Sequence, residues 1–145
     1  MNDRNGMRIV LGDWNTLCGD AQTIRYAVFV HEQQVDPEIE LDARDAVCLH
    51  VVAYDEFGAP NGTGRLLPDG HIGRMAVSKA ARGGGIGGAM LAALMQEAKV
   101  RGDDHVVLSA QSHAAPFYAR HGFVQEGEAF MEAGIFHVQM RHWFD

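Results

Sequence analysis

Cysteine is scarce: only Cys18 and Cys48 occur in 145 residues. Two thiols cannot make a disulfide framework, so free, buried cysteines and a cytoplasmic setting are expected. Long apolar runs are absent too. The most apolar stretch, "IGGAMLAALM", is far too short to cross a bilayer, and the polar "MNDRNGMRIV" has no signal-peptide core, so no membrane partner is expected. Positive charge is in deficit. Twelve Lys and Arg stand against nineteen Asp and Glu, and a formal net charge of −7 speaks against nucleic acid as a partner. The eight histidines form no HExxH and no paired Cys/His spacing, so no metal is expected. Cys48 and His50 would share a strand face, but no third residue orients them as nucleophile and base, and packing is their expected role. Repeats and linkers are also missing, and residues 1–145 read as one domain.

What is present is an ordered series of elements. "MRIVLG" predicts a first strand, and Ile24, Ala27, Val28 and Phe29 predict an amphipathic helix from about Asp20 to Glu32. After an acidic loop, "VCLHVVAYD", "NGTGRLL" and "HIGRMAV" read as an antiparallel meander. Ile86, Ala89, Met90, Ala93, Leu94 and Ala98 give a mostly buried helix, followed by the short strand "HVVLSA". "SHAAPFYARHG" predicts a helix with Ser112 as N-cap, Pro116 in its first turn and Gly122 as C-cap. "FVQEGEAF" and "IFHVQMRHW" close the chain as strands. The order is that of an α+β protein, antiparallel early, with a parallel contact after the buried helix. An exposed C-terminal strand could pair two subunits into a homodimer.

Glycine is concentrated where it is least expected. Five glycines fill six positions from Gly83 to Gly88, directly after Arg82 and at the start of the buried helix. A helix N-terminus offers unpaired N–H groups and a positive dipole end, and glycines let a phosphate reach them. The stretch therefore reads as a pyrophosphate cradle; the plainer alternative is a glycine-rich turn. No GK[ST] follows, which speaks against a P-loop nucleoside triphosphatase. Gly83, Gly85 and Gly88 satisfy G-x-G-x-x-G, but Asp103 precedes the following strand instead of ending it, which disfavours a dinucleotide site.

"MAVSKAARGGGIG" resembles motif A of the GNAT superfamily of acetyl-CoA-dependent N-acetyltransferases, whose Q/R-x-x-G-x-G/A is matched by Arg82, Gly85 and Gly87. "FYARHGFV" resembles the family's later helix, and "RYAVFVHEQQVDPEIELDARD" is similar to a small bacterial branch called ElaA-like or YjcF-like. That branch carries F-V-x-E-Q and E-x-D-x-x-D elements, here Phe29, Val30, Glu32 and Gln33, then Glu40, Asp42 and Asp45. Gly84 departs from a commonly basic or polar residue, and Gln111 from a common asparagine.

The resemblance implies a GNAT fold, with a central mixed sheet of about seven strands, splayed in the middle and flanked by about four helices. It implies acetyl-CoA as cosubstrate and an amine as acceptor, with direct, sequential transfer. Pantetheine would pair with the strand at Met75, Ala76 and Val77, and an amide of Ala76 or Val77 would face the thioester oxygen. Pyrophosphate would lie on Gly83, Gly84, Gly85, Ile86, Gly87 and Gly88 beside Arg82. Tyr118 matches the residue that protonates the leaving thiolate in many members.

An alkylammonium has a pKa of about 10, so a carboxylate that binds the cation and accepts its proton is expected. Residues 36–45 carry five acids and one arginine, opposite in sign to the coenzyme segment. Glu40 and Asp42 are the candidates there, aimed alike if the segment is extended, with Glu32 next and a small cationic acceptor implied. A non-catalytic acyl-CoA-binding module with the same cradle is the competing class.

Overall fold

The computed structural model describes residues 3–4, 7–40 and 42–145. Strands β1 (Asp3–Arg4), β2 (Met7–Gly12), β3 (Leu49–Tyr54), β4 (Pro60–Leu66), β5 (His71–Val77), β6 (His105–Gln111), β7 (Val124–Glu132) and β8 (Ile135–Trp143) form one sheet in the order β1-β2-β3-β4-β5-β6-β8-β7. Strand β1 adds only two residues, so seven strands carry the sheet. Among the described residues β5–β6 is the parallel pair and the other neighbours are antiparallel, as expected of the α+β fold.

The helices are α1 (Trp14–Arg25), the short α2 (Pro37–Glu40), α3 (Ile86–Val100) and α4 (Ala115–Arg120). Helix α1 begins earlier than Asp20. Asp13 caps it by accepting the Thr16 N–H at 2.9 Å, and Leu17, Ala21 and Ile24 form its buried line. From Tyr26 to Glu32 the coil widens into a π-helix, closed by the Gln33 N–H on the Val28 carbonyl at 3.0 Å. Val28 there packs on Ala76 of β5, whereas Ala27, expected on the apolar face, is exposed. Helix α4 is shorter than predicted. Ser112–Ala114 make a 3-10 turn without a side-chain cap, so Ser112 is not the N-cap, and Pro116 sits in the first turn of α4.

Successive residues of a strand face opposite sides, and β3 uses both. Val51 and Ala53 meet α3, whose Met90, Leu91 and Leu94 are fully buried with Leu66 and Val106. Each such side chain contributes roughly 1.5–3 kcal/mol. Val52 and Tyr54 meet Leu17 and Ala21 of α1 on the other face.

The sheet opens at its centre. Strands β5 and β6 are in register only at His71–Val107 and Ile72–Leu108; beyond that β5 stays with β4 and β6 with β8. The divergence coincides with a bulge: Arg74 adopts φ 51°, and the β4–β5 register shifts between Thr63 and Arg65. Gly64 lies opposite, where any Cβ would overlap the Met75 sulfur. The last strand, β8, is not the exposed one expected: it lies between β6 and β7, and the edge is β7, with all nine residues exposed. Among the described residues no helix is long and apolar enough to cross a membrane.

Candidate active site

The glycines after β5 serve two ends. Gly83 and Gly85 have φ 86°, a left-handed conformation costly for any residue with a Cβ. Gly85 is the N-cap of α3 and provides no side-chain acceptor, so the first-turn N–H groups lack the usual cap. Gly88 provides the closer approach: a Cβ there would lie 3.3 Å from the His121 ring just past α4, while one at Gly87 would meet the Phe117 ring at 3.4 Å, an ordinary contact distance. The loop lines a cavity of about 1260 Å³. Unsatisfied donors, a positive helix end and bare backbone fit an extended polyanion such as the pyrophosphate of a coenzyme.

Arg82 lies on this loop, but its guanidinium is occupied. Nη1 and Nη2 each donate to a Glu32 carboxylate oxygen at 2.6 Å, and Nε donates to the Val77 carbonyl at 3.0 Å. Those Arg82 hydrogen bonds hold the Glu32 carboxyl below the usual carboxylate range. Glu32 closes the π-helix, and Gln33 beside it exchanges hydrogen bonds with Gln111 of β6 at 3.0 and 2.8 Å. One helix end thus grips both sides of the open sheet.

Ladder parity decides which β5 amide faces the opening. The Ser78 N–H donates to the Asn61 carbonyl at 3.0 Å, and Ala76 lies opposite Thr63. Antiparallel pairs alternate between bonded and non-bonded, so the amide of Ala76 is taken up by β4 and that of Val77 points into the gap. The Val77 carbonyl agrees, since it accepts from Arg82. Met75, Ala76 and Val77 all line the first cavity, and with Arg82, Ala114 and Tyr118 they also line a second, of about 720 Å³. The two cavities meet through the splayed strands.

Tyr118 of α4 stands at that junction, its ring edge-on to Phe117 and Phe123 at 5.0 and 5.9 Å. Its hydroxyl has no hydrogen-bond partner among the described residues, and burial pushes the phenol up to about 12.

The acidic segment is neither extended nor free. Glu40 ends α2, and Asp42 caps a 3-10 turn, Ala43–Val47, so their side chains are not aimed alike. Both oxygens of Glu40 accept from Arg25, one at Nε and the other at Nη2, 3.2 Å away. Asp45 accepts from Arg25 at 2.9 and 3.0 Å and from Arg65 at 2.7 Å. Asp42 accepts from Arg65 at 2.7 Å and from Arg44 at 3.1 Å. Burial works against ionisation of Asp42, but the hydrogen bonds from Arg44 and Arg65 outweigh it and hold the carboxyl well below its usual range. Glu40, Asp42 and Asp45 are therefore neutralised within the protein, and of the five acids only Asp36 and Glu38 stay exposed without an arginine partner among the described residues. Arg25 and Arg65 were detectable as charges within apolar helix and strand patterns, which must find partners when buried; that signal pointed to the acidic segment.

Cys48 and His50 are packing residues. The thiol donates to the Arg44 carbonyl at 3.2 Å, the imidazole contacts the Asp45 carbonyl at 2.9 Å, and burial raises the thiol pKa. Among the described residues no group of three His, Cys, Asp or Glu is placed to hold a metal ion.

Comparison with known proteins matches residues 19–143 to the family described as Acetyltransferase (GNAT) domain. The chain is 38% identical over 138 residues to the uncharacterised N-acetyltransferase YjcF of Bacillus subtilis, covering 92% of this chain and 98% of that protein. An acyl-CoA N-acyltransferase from Pseudomonas aeruginosa superposes with TM-score 0.82 at 33% identity, covering 94% of this chain and 99% of the other. Escherichia coli ElaA superposes with TM-score 0.82 at 26% identity and the same coverage.

Proposed function

We propose that this chain, which belongs to the GNAT acetyltransferase family and to its small bacterial ElaA- and YjcF-like branch, is a single-domain cytoplasmic N-acetyltransferase that moves an acetyl group from acetyl-CoA to a primary amine by direct sequential transfer. The observation that carries this reading is the meeting of two cavities at Val77 and Tyr118, one reaching the glycine loop and the other the acceptor side. Both thiols are free, in keeping with a reducing compartment.

Bound acetyl-CoA supplies an activated thioester. The uncapped N–H groups from Gly83 to Gly88 hold its pyrophosphate, and Arg82 joins them by leaving Glu32. The splayed edge of β5 at Met75 and Val77 receives the pantetheine. The Val77 N–H stabilises negative charge developing on the thioester oxygen. As the amine nitrogen bonds to the carbonyl carbon, the C–S bond breaks and Tyr118 donates its proton to the sulfur. A phenol titrating near 12 stays in the donating form at neutral pH. The ammonium sheds two protons in becoming the amide: Glu32, released from Arg82 and lining the acceptor cavity, takes the first through water and passes it to solvent, and the second, lost as the amide forms, returns to the Tyr118 phenolate. Glu40 and Asp42 act as positioning residues, bracing the arginines beneath β5.

Amine-dependent thiol release tests the reading; a protein that binds acetyl-CoA but releases no thiol with any amine is the non-catalytic module instead. Tyr118→Phe should leave coenzyme affinity near the parent value and lower turnover roughly 10²-fold. Unchanged turnover, with chemistry rate-limiting, removes the acid role. The edge strand β7 is offered to a second copy, and sedimentation across concentrations tests a homodimer.

A further inference from the structure

The acceptor cavity has an uneven charge balance. Of the arginines that line it, Arg44, Arg65 and Arg82 have carboxylate partners at 3.1, 2.7 and 2.6 Å. Arg74 does not. Its nearest carboxylate oxygen among the described residues, Asp42 Oδ2, is 3.7 Å away and already holds Arg44 and Arg65. Nη2 donates to the Glu40 carbonyl at 3.2 Å, while the buried Nε has no hydrogen-bond partner among the described residues. Nη1 has none among the described residues either and, unlike Nε, is not fully buried, on a residue that lines the cavity.

The cavity's carboxylates offset this charge only in part. Glu40 is bound by Arg25, Glu32 pairs with Arg82 until the coenzyme arrives and then serves the amine end, and Glu132 lies exposed beside His137. Guanidinium stays ionised in any protein setting. A chain of net charge −7 therefore holds a half-buried cation, on a left-handed residue, where the sheet opens. The glycine loop is not its counterpart, because Arg74 lines the second cavity and not the first.

We infer that the acceptor bears a carboxylate as well as an amine, and that Arg74 binds that carboxylate through its guanidinium. A planar guanidinium with open donors matches a carboxylate in a way that a point charge does not. The acceptor class is then the amino acids, with Arg74 at the carboxylate end and Val77 and Tyr118 at the amine end. This inference rests on the transferase reading of the same cleft.

The test uses the full chain, acetyl-CoA, the L-α-amino acids and the ω-amino acids from glycine to ε-aminocaproate. Each acid is paired with its primary amide and its decarboxylated amine, and thiol release is followed alongside calorimetric binding to the CoA-loaded protein. At least one acid should exceed its amide in kcat/KM by roughly tenfold to hundredfold, the range of a hydrogen-bonded charge. In Arg74→Gln the ratio should fall to about one, chiefly through KM. Arg74→Asn, whose residue type tolerates left-handed backbone, should do the same, and a ratio within one variant does not depend on how much protein is folded. If amides and plain amines react as well as acids, transfer stands and the carboxylate site falls. If no amine releases thiol yet carboxylates bind in an Arg74-dependent way, the site stands and the transfer reading falls. A carboxylate preference that survives both substitutions, or the absence of both preference and binding, overturns the assignment to Arg74.

Discussion

The segment from Asp36 to Asp45 and the loop from Arg82 to Gly88 border the same cleft, and they differ in what their polar groups already hold. In the first, Glu40, Asp42 and Asp45 are bound by Arg25, Arg44 and Arg65, which are drawn from a helix, a turn and a strand. In the second, α3 starts at a glycine without a side-chain cap, and its N–H groups face a cavity. Density of charge is greater in the first region, but availability of polar groups is greater in the second. A site for a ligand is marked by donors or acceptors the fold leaves over, not by how many it contains. Arg74 belongs with the second region by this measure, although it sits beside the first.

Removing a partner from the first region should have the largest effect. Asp45→Ala strips a carboxylate from two buried guanidinium groups, and about 3–5 kcal/mol of stability should be lost in denaturant unfolding. Coenzyme affinity of the folded molecules should change little. For Asp45, burial opposes ionisation, but Arg25 and Arg65 outweigh it, so the folded carboxyl titrates below its unfolded value. The stabilisation is then fully present above about pH 4 and lost as pH falls through the folded pKa. The acid limb of the stability curve should be shallower in Asp45→Ala; an equal slope, or a loss under about 1 kcal/mol, would reduce the cluster to a solvated loop.

The second region should respond the other way. Gly85→Val places a branched side chain at φ 86°, at a cost of about 1–2 kcal/mol, and it should abolish the rise in melting temperature caused by acetyl-CoA. A folded variant that binds like the parent means the cradle lies elsewhere.

The smallest effect sharpens the boundary between the regions. Glu32 and Arg82 form an exposed pair, so Glu32→Gln should alter stability by less than about 1 kcal/mol. Coenzyme affinity should rise a few-fold in calorimetry, because Arg82 no longer has a carboxylate to leave, and Arg82→Ala should lower it. A lowered affinity in Glu32→Gln would sink the exchange.

Much of this architecture was legible in the chain. Apolar periodicity placed α3 and the central strands, and the glycine run marked where the backbone departs from ordinary angles, though only the fold shows that Gly83 and Gly85 are the left-handed ones. The early start of α1 was hidden because Gly19 interrupts its pattern, while the cap at Asp13 lies outside the apolar stripe. The choice of Val77 over Ala76 could not be read, since it depends on the parity of pairing with Asn61 and Thr63 on another strand. Nor could the fate of the acids. The sequence by itself determined the order of elements and the place of the glycine run at the start of α3, because both follow from neighbours a few residues apart. Only the tertiary structure decided which charges remain open, because Arg25 meets Asp45 twenty residues away and Arg82 meets Glu32 fifty away, and no local rule counts such partners.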